Sequence, residues 1–325
     1  MHPAARMGQR VSQEVRWAGT LTLAACLLVS CSTTETSDRE TGADAAAASS
    51  TPSGDTAARL PSPTAQPDEA LEELPKVPAR RDAATLAHQL DRAAATLLQR
   101  DAATTDVRRA AEFHQLAVRA LATAPAAFRR TVSTRLDPDT GRFTRSDVRA
   151  ARLLHAMTEP QQRLPGWRIV TPPPPAELLR YYKQAQRRTG VPWTYLAAIH
   201  LVETRMGRIR GTSSAGARGP MQFLPSTWDL YGAGDDINEP RDAILAAARL
   251  LKNHGAPGDM ADALWHYNPS DNYVGAVLEY ARNMQRSASA YDGYWHWRVL
   301  YRHTRGTQVL PVGYPKKPPV PLPGS

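Results

Sequence analysis

Between Ser32 and Arg80 the only large apolar side chains are Leu60, Leu71, Leu74 and Val77, set among Ser, Thr, Ala, Pro and acidic residues. Such a stretch cannot bury enough surface to offset the entropy of ordering it. Any core must therefore be assembled from the residues that follow, and residues 31–80 read as a disordered acidic linker. The full length of 325 residues then suits two modest domains plus unfolded parts.

Charge follows the same division. The formal net charge is +9, but residues 31–75 hold nine acids against Arg39 and Arg59, so the chain after them is strongly basic. A basic body behind an acidic spacer suits polyanionic surroundings such as nucleic acid, anionic lipid or cell-wall polymer, and charge alone does not choose among them. No zinc, helix-turn-helix or RNA-binding signature is present, and Lys316-Lys317 is too small a patch to indicate nucleic-acid binding.

The N-terminus narrows the compartment. Arg6, Arg10 and Arg16 precede a moderately apolar run from Trp17 to Ser30, shorter than the ~20 residues a spanning helix needs. A basic segment followed by a short apolar one is the pattern of a secretory signal, here residues 1–30. The run ends Leu28-Val29-Ser30-Cys31, which resembles the bacterial lipobox. Cys31 is thus the expected lipidation site, anchoring the chain to the outer face of a membrane without spanning it. The other cysteine, Cys26, lies inside the signal, so no disulfide framework exists.

From Ala83 onwards the periodicity is helical and strand signals are nearly absent, which makes the fold class mainly α. Leu86, Leu90, Leu97 and Leu98 mark one helix. Ala110, Phe113, Leu116, Ala117 and Leu121 mark a second, with Asp106 as its N-cap. Asp137-Pro138-Asp139-Thr140-Gly141 reads as a turn, and Asp147 to Met157 as a further short helix. Residues 81–160 are therefore expected to form a small helical subdomain. Pro172 to Pro175 then break the chain. A helix over 176–188 ends at Gly190, and Pro192 starts another. Residues 165–310 are expected to form the second domain, and residues 311–325 a Pro-rich disordered tail.

The helix from Pro192 carries the chemistry. Leu196, Ile199 and Val202 form its apolar stripe, and Glu203 falls on that stripe near the helix end, before Gly207. Partial burial favours the protonated form of a carboxyl, which suits a general acid, although Arg205, Arg208 or Arg210 offers an ordinary ion-pair explanation. Residues 212–228 follow as a Gly- and Ser-rich loop, then Met221-Gln222-Phe223 and Pro225-Ser226-Thr227-Trp228. Small residues permit close backbone approach to a ligand, an amide can donate and accept to a sugar, and aromatic rings offer a flat face to it. Tyr267-Asn268 closes a later helix and Tyr273-Val274 opens the next.

Glu203-Thr204, Gly219-Pro220-Met221-Gln222, Tyr267-Asn268 and Tyr273-Val274, in this order, resemble the catalytic core of lytic transglycosylases of the soluble-transglycosylase (SLT) family, relatives of goose-type lysozyme. The spacing agrees, with 19 residues from Glu203 to Gln222 and 45 from Gln222 to Tyr267. GPMQFLPSTW is similar to secreted, actinobacterial lipoprotein versions of the domain. The likeness spans roughly residues 176–285 and implies a lysozyme-like fold behind the helical subdomain. It implies cleavage of the MurNAc-β-1,4-GlcNAc bond of peptidoglycan, with Glu203 as general acid and then base and a 1,6-anhydro-MurNAc product. No second carboxylate would be needed, since the substrate's N-acetyl group can stabilise the developing cation. Thr204, Met221, Gln222, Phe223, Tyr267, Asn268 and Tyr273 would bind substrate, with Tyr267 hydrogen-bonding near Glu203. No cofactor or metal is implied. The implied partners are peptidoglycan strands and, through Cys31, a membrane; the chain would act as a monomer outside the cytoplasmic membrane. Thr204 stands where the family usually has serine and Pro220 where it has leucine. Asn268-Pro269-Ser270 replaces the usual Asn-Ala-Gly. Two rivals are a muramidase-type hydrolase using Asp229, Asp235 or Asp236 to position water, and a non-catalytic wall-binding protein. Asp235-Asp236-Ile237-Asn238-Glu239 also suggests a cation site, but the start of a helix explains it better. His200, His254 and His266 form no metal motif and read as core or cap residues. The cluster Tyr294-Trp295-His296-Trp297 with Tyr301 reads as packing rather than a binding face.

Overall fold

The computed structural model describes residues 74–78 and 82–322. The expected signal peptide, Cys31 and most of the linker lie outside these residues. Helices dominate, as the periodicity implies. The N-terminal part comprises α1 (Ala83–Leu98), α2 (Thr104–Ala122), α3 (Ala126–Ser133) and α4 (Pro138–Ala156). Asp82 caps α1 by accepting from the Thr85 N–H at 3.0 Å.

Two expected boundaries move. Asp106 lies in the first turn of α2 rather than capping it. The stretch from Asp137 to Gly141 is not a turn but the start of α4: Asp137 is the N-cap, its carboxylate accepting from the Asp139 N–H, and Pro138 sits where its missing N–H is harmless.

The strands β1 (Arg168–Ile169) and β2 (Ile209–Arg210) pair antiparallel around α5 (Pro175–Thr189) and α6 (Trp193–Thr204). Next come α7 (Pro225–Tyr231), α8 (Pro240–Asn253), α9 (Met260–Tyr267), α10 (Asp271–Arg286) and α11 (Ala290–Trp295). Pro240 occupies the first turn of α8 behind Glu239, so the Asp235–Glu239 segment does lead into a helix. An antiparallel sheet closes the chain, ordered β3 (Val299–His303), β4 (Gly306–Leu310) and β5 (Val320–Pro321).

This sheet was not expected, and β5 comes from the stretch read as a loose tail. Residues 311–322 are held by backbone and side-chain bonds. Ile169 donates to the Tyr314 carbonyl at 3.0 Å, and the buried Tyr314 donates its hydroxyl to Pro165 O at 2.6 Å. Ile169, Val299, Tyr301, Leu310 and Tyr314 form a small core of their own. Tyr294, Trp295 and Trp297 are all buried, which fits the packing role read from the sequence.

The N-terminal helices hold a small core of their own, with Leu86, Leu90, Leu121, Val132 and Leu136, and also pack onto the helices that follow. Leu97 of α1, Ala111 of α2, and Phe143 and Leu154 of α4 share one core with α5, α6, α8, α10 and α11. Polar contacts reinforce the junction. Glu112 accepts from Arg298 at 2.7 Å, and Gln115 exchanges two bonds with the backbone of Arg298. At the centre Asp147 of α4 accepts from Tyr294 at 2.6 Å and from Asn283 at 2.9 Å.

The carboxylate of Asp147 also lies 3.6 Å from His114 Nδ1, and both residues are fully buried. Burial pushes the Asp147 carboxyl up to about 8 and the His114 imidazole down to about 3. In the unfolded chain these groups titrate near 3.8 and 6.5. Between those two values folded and unfolded pairs each hold one proton, so stability is flat. From about pH 6.5 to 8 only the folded pair keeps its proton, so stability falls as pH rises, by roughly 2 kcal/mol in all. Urea unfolding across pH 5–8 should show this decline in the native chain. Asp147→Asn should flatten it; an unchanged slope in that variant would assign the decline to other groups.

Candidate active site

Helix α6 has no solvent face: Thr194 and every residue from Leu196 to Thr204 is buried. A helix apolar on all sides belongs inside a core, and Glu203 enters the interior as its penultimate residue. The chain then turns through three consecutive left-handed residues, Arg205 (φ 54°), Met206 (φ 61°) and Gly207 (φ 86°). Two of them are not glycine, a costly arrangement that the surrounding structure must hold in place.

Thr204 supplies part of that hold. Its hydroxyl donates to Pro220 O at 2.6 Å and accepts from the Gly207 N–H at 3.1 Å. The end of α6 is thereby fastened to the loop that follows. That loop is a tight hairpin closed by Arg218 and Phe223, which exchange bonds of 2.8 and 2.9 Å. Gly219 sits at φ 73°, and a Cβ there would come within 1.9 Å of Ile237 O, so only glycine fits. Gln222, also left-handed at φ 50°, donates its side-chain amide to Gly219 O at 2.8 Å.

Two tyrosines complete the site. Ser270 caps α10 by accepting from the Tyr273 N–H, which places Tyr273 in the first turn. Its hydroxyl donates to Glu203 Oε1 at 2.7 Å, within a buried environment. Tyr267, at the end of α9, stacks on Tyr273 with ring centroids 6.3 Å apart and donates to Met221 O at 2.5 Å. Phe223 packs edge-on against both Tyr267 and Trp228.

The residues singled out from the sequence are thus brought together, but with different tasks. The tyrosine that reaches Glu203 is Tyr273, while Tyr267 holds the hairpin. Thr204 and the Met221 side chain have no exposed surface. Asn268 is buried too and ends α9, its N–H donating to Leu264 O. Gln222 and Tyr267 remain half-buried and accessible. The Ser270 cap holds Tyr273 in the first turn of α10, where the sequence placed it. The left-handed run after Thr204 has only Gly207 to announce it.

The acids considered for a hydrolase are engaged elsewhere or exposed. Asp235 accepts from Arg249 at 3.4 Å, Asp236 accepts from the Asn238 N–H at 2.9 Å, and Asp229 lies exposed on α7. His200 is buried against Tyr182, 2.7 Å from its hydroxyl, and burial holds it down to about 3. His254 caps α8 and stacks on His266 at 4.1 Å.

Residues 180–289 match the family model described as the Transglycosylase SLT domain, a span that contains Glu203, the 218–223 hairpin and both tyrosines. This segment is therefore similar to the SLT transglycosylase domain. The chain is also 32% identical over 124 residues to the membrane-bound lytic murein transglycosylase F of Thiobacillus denitrificans. That alignment covers 37% of this chain and 26% of the relative, so the chain spans about a quarter of the relative's length. No solved structure matches the chain. Among the described residues no helix is long and apolar enough to cross a membrane.

The Thr204 hydroxyl makes a direct prediction. Thr204→Val leaves Pro220 O and the Gly207 N–H without their partner, at a cost of about 2 kcal/mol. Thr204→Ser keeps the hydroxyl and should recover most of that loss. Chemical denaturation of the three proteins checks it; equal stability of the valine and serine variants would remove the hydroxyl from the account.

Proposed function

We propose that this protein cleaves peptidoglycan glycan strands as a lytic transglycosylase, with Glu203 as its general acid and base. The observation that carries the reading is Glu203 itself: a buried carboxyl at the end of α6, oriented by the Tyr273 hydroxyl at 2.7 Å, in a segment of SLT type. Protonated Glu203 gives its proton to the glycosidic oxygen as the bond from C1 of N-acetylmuramic acid to that oxygen breaks. The C6 hydroxyl of the same sugar then attacks C1 and loses its proton to the Glu203 carboxylate. The product is a 1,6-anhydro ring, no water is consumed, and the enzyme ends in its starting protonation state.

The hydrogen bond from Tyr273 keeps one carboxyl oxygen fixed. Gln222 and Tyr267 form the adjoining wall, where an amide and an aromatic ring suit a sugar. Lipidation of Cys31 would place the enzyme on the outer face of the membrane, within reach of the wall, with residues 32–80 as a tether.

Mass spectrometry of muropeptides released from purified peptidoglycan tests this reading. The wild-type chain should release anhydro-muramoyl ends, and Glu203→Gln should lower the rate by at least about a hundredfold. Reducing muramic acid ends would instead indicate a hydrolase. Binding without release would indicate a wall-binding protein. Tyr273→Phe should slow cleavage roughly 10- to 100-fold through loss of a hydrogen bond to a charged group. Wild-type rates in that variant would remove Tyr273 from the machinery.

A further inference from the structure

Behind α6, away from the Glu203–Tyr273 pair, three arginines from three different elements line one cavity. They are Arg119 of α2, Arg205 just past the end of α6, and Arg302 of β3. Each donates to uncharged oxygens. Arg119 bonds Thr307 Oγ1 at 2.7 Å and Arg205 bonds Leu201 O at 2.6 Å. Arg302 bonds His155 O at 2.9 Å and Thr158 Oγ1 at 2.8 Å, as well as Thr158 O. Among the described residues none of the three forms an ion pair within 4.0 Å. The carboxylate that acts on Arg302 from further off is the exposed Glu159, which is not part of the cavity wall.

The group is electrostatically unbalanced. Burial first, and then the charges of Arg302 and Arg205, push the Arg119 guanidinium down to about 10. His155, on the same wall, is pushed down by burial and then by Arg302 and Arg119. A second, independent feature points the same way. Trp297 also lines the cavity and is buried, and its indole N–H has no hydrogen-bond partner. A buried donor left unpaired is uncommon and calls for an acceptor.

We propose that this cavity is a binding site for a small phosphate-type oxyanion, which nothing in the glycan-cleaving reading requires. The cavity volume is about 80 Å³, which at ~30 Å³ per water holds two or three waters. That admits a tetrahedral oxyanion. Arginine forks match phosphate oxygens, and a divalent anion offsets three positive charges better than a single carboxylate does. The indole N–H supplies one further donor. Because Arg119, Arg205 and Arg302 belong to the N-terminal helices, the catalytic helix and the C-terminal sheet, the anion would join all three. Arg205 is two residues from Glu203, so occupancy bears on the left-handed run that positions the carboxyl.

Thermal unfolding of the full chain with inorganic phosphate, against sodium chloride at equal ionic strength, tests the site. A saturable rise in Tm of about 5 °C is expected at concentrations a hundredfold above Kd. Arg302→Gln should abolish the saturable part. Trp297→Phe removes the donor while keeping a ring, and should weaken phosphate at least several-fold whatever its effect on the unliganded Tm. Isothermal titration of the unmodified chain gives the same affinity without relying on any variant. Acetate in place of phosphate should give no saturable rise. Glycerol phosphate in a further arm separates two sources: binding comparable to phosphate indicates an esterified phosphate such as a wall or lipid component, and its exclusion indicates the free ion. Equal effects of phosphate and chloride with no heat of binding would overturn the proposal, as would undiminished phosphate affinity in both variants.

Discussion

Helix α6 has no wall of its own that faces water, so every side of it must be supplied by another element. α5, α8, α10 and α11 provide these walls, and the requirement dictates much of the chain's order in space. Ala197, Ala198 and Leu201 allow the surrounding helices to pack around it. The benefit is rigidity where it matters. A carboxyl at the end of such a helix cannot swing far, because its backbone is held on all sides and its own oxygen is held by Tyr273. The cost is concentrated in Arg205 and Met206, whose left-handed backbone is needed to leave the interior within a few residues.

The loop beyond α6 is governed by a chain of small constraints rather than by burial of large groups. Thr204 holds Pro220, Tyr267 holds Met221, and Gly219 rests against the backbone at Ile237. Three of the four segments that resemble the transglycosylase family therefore serve partly as fasteners. Only Glu203 and the half-buried Gln222 and Tyr267 keep surface or chemistry available for a ligand. A family motif of this kind records the geometry of a hairpin as much as the contacts of a substrate.

The sequence was most legible where proline and glycine punctuate helices. Gly190 ends α5 in the left-handed conformation, and Pro240 opens α8, as their residue types imply. The same punctuation was misread at Asp137-Pro138, because a cap followed by proline serves turns and helix starts alike. The grouping of Glu203 with the tyrosines could be read from motif order, but the choice between Tyr267 and Tyr273 could not. Order along the chain does not reveal which hydroxyl reaches a carboxyl seventy positions away. The tail was hidden for a related reason. Its prolines look like a linker, and the strand that accepts it, β4, is too short to announce a sheet. The contacts that cross the boundary expected near residue 160 were hidden because Asp147, Glu112 and Gln115 find their partners after residue 280.

That last arrangement has a consequence for how the molecule comes into being. Arg298 meets Glu112 across 186 positions of chain, and Gln115 waits for the same arginine. Whether the polypeptide leaves a ribosome or a membrane channel, α2 emerges long before its partner does. Contacts of such long range form late. The polar clamp on α2 can close only when almost the whole chain is free. The molecule thus acquires its finished form only once nearly the whole chain is free to fold, a timing built into its connectivity.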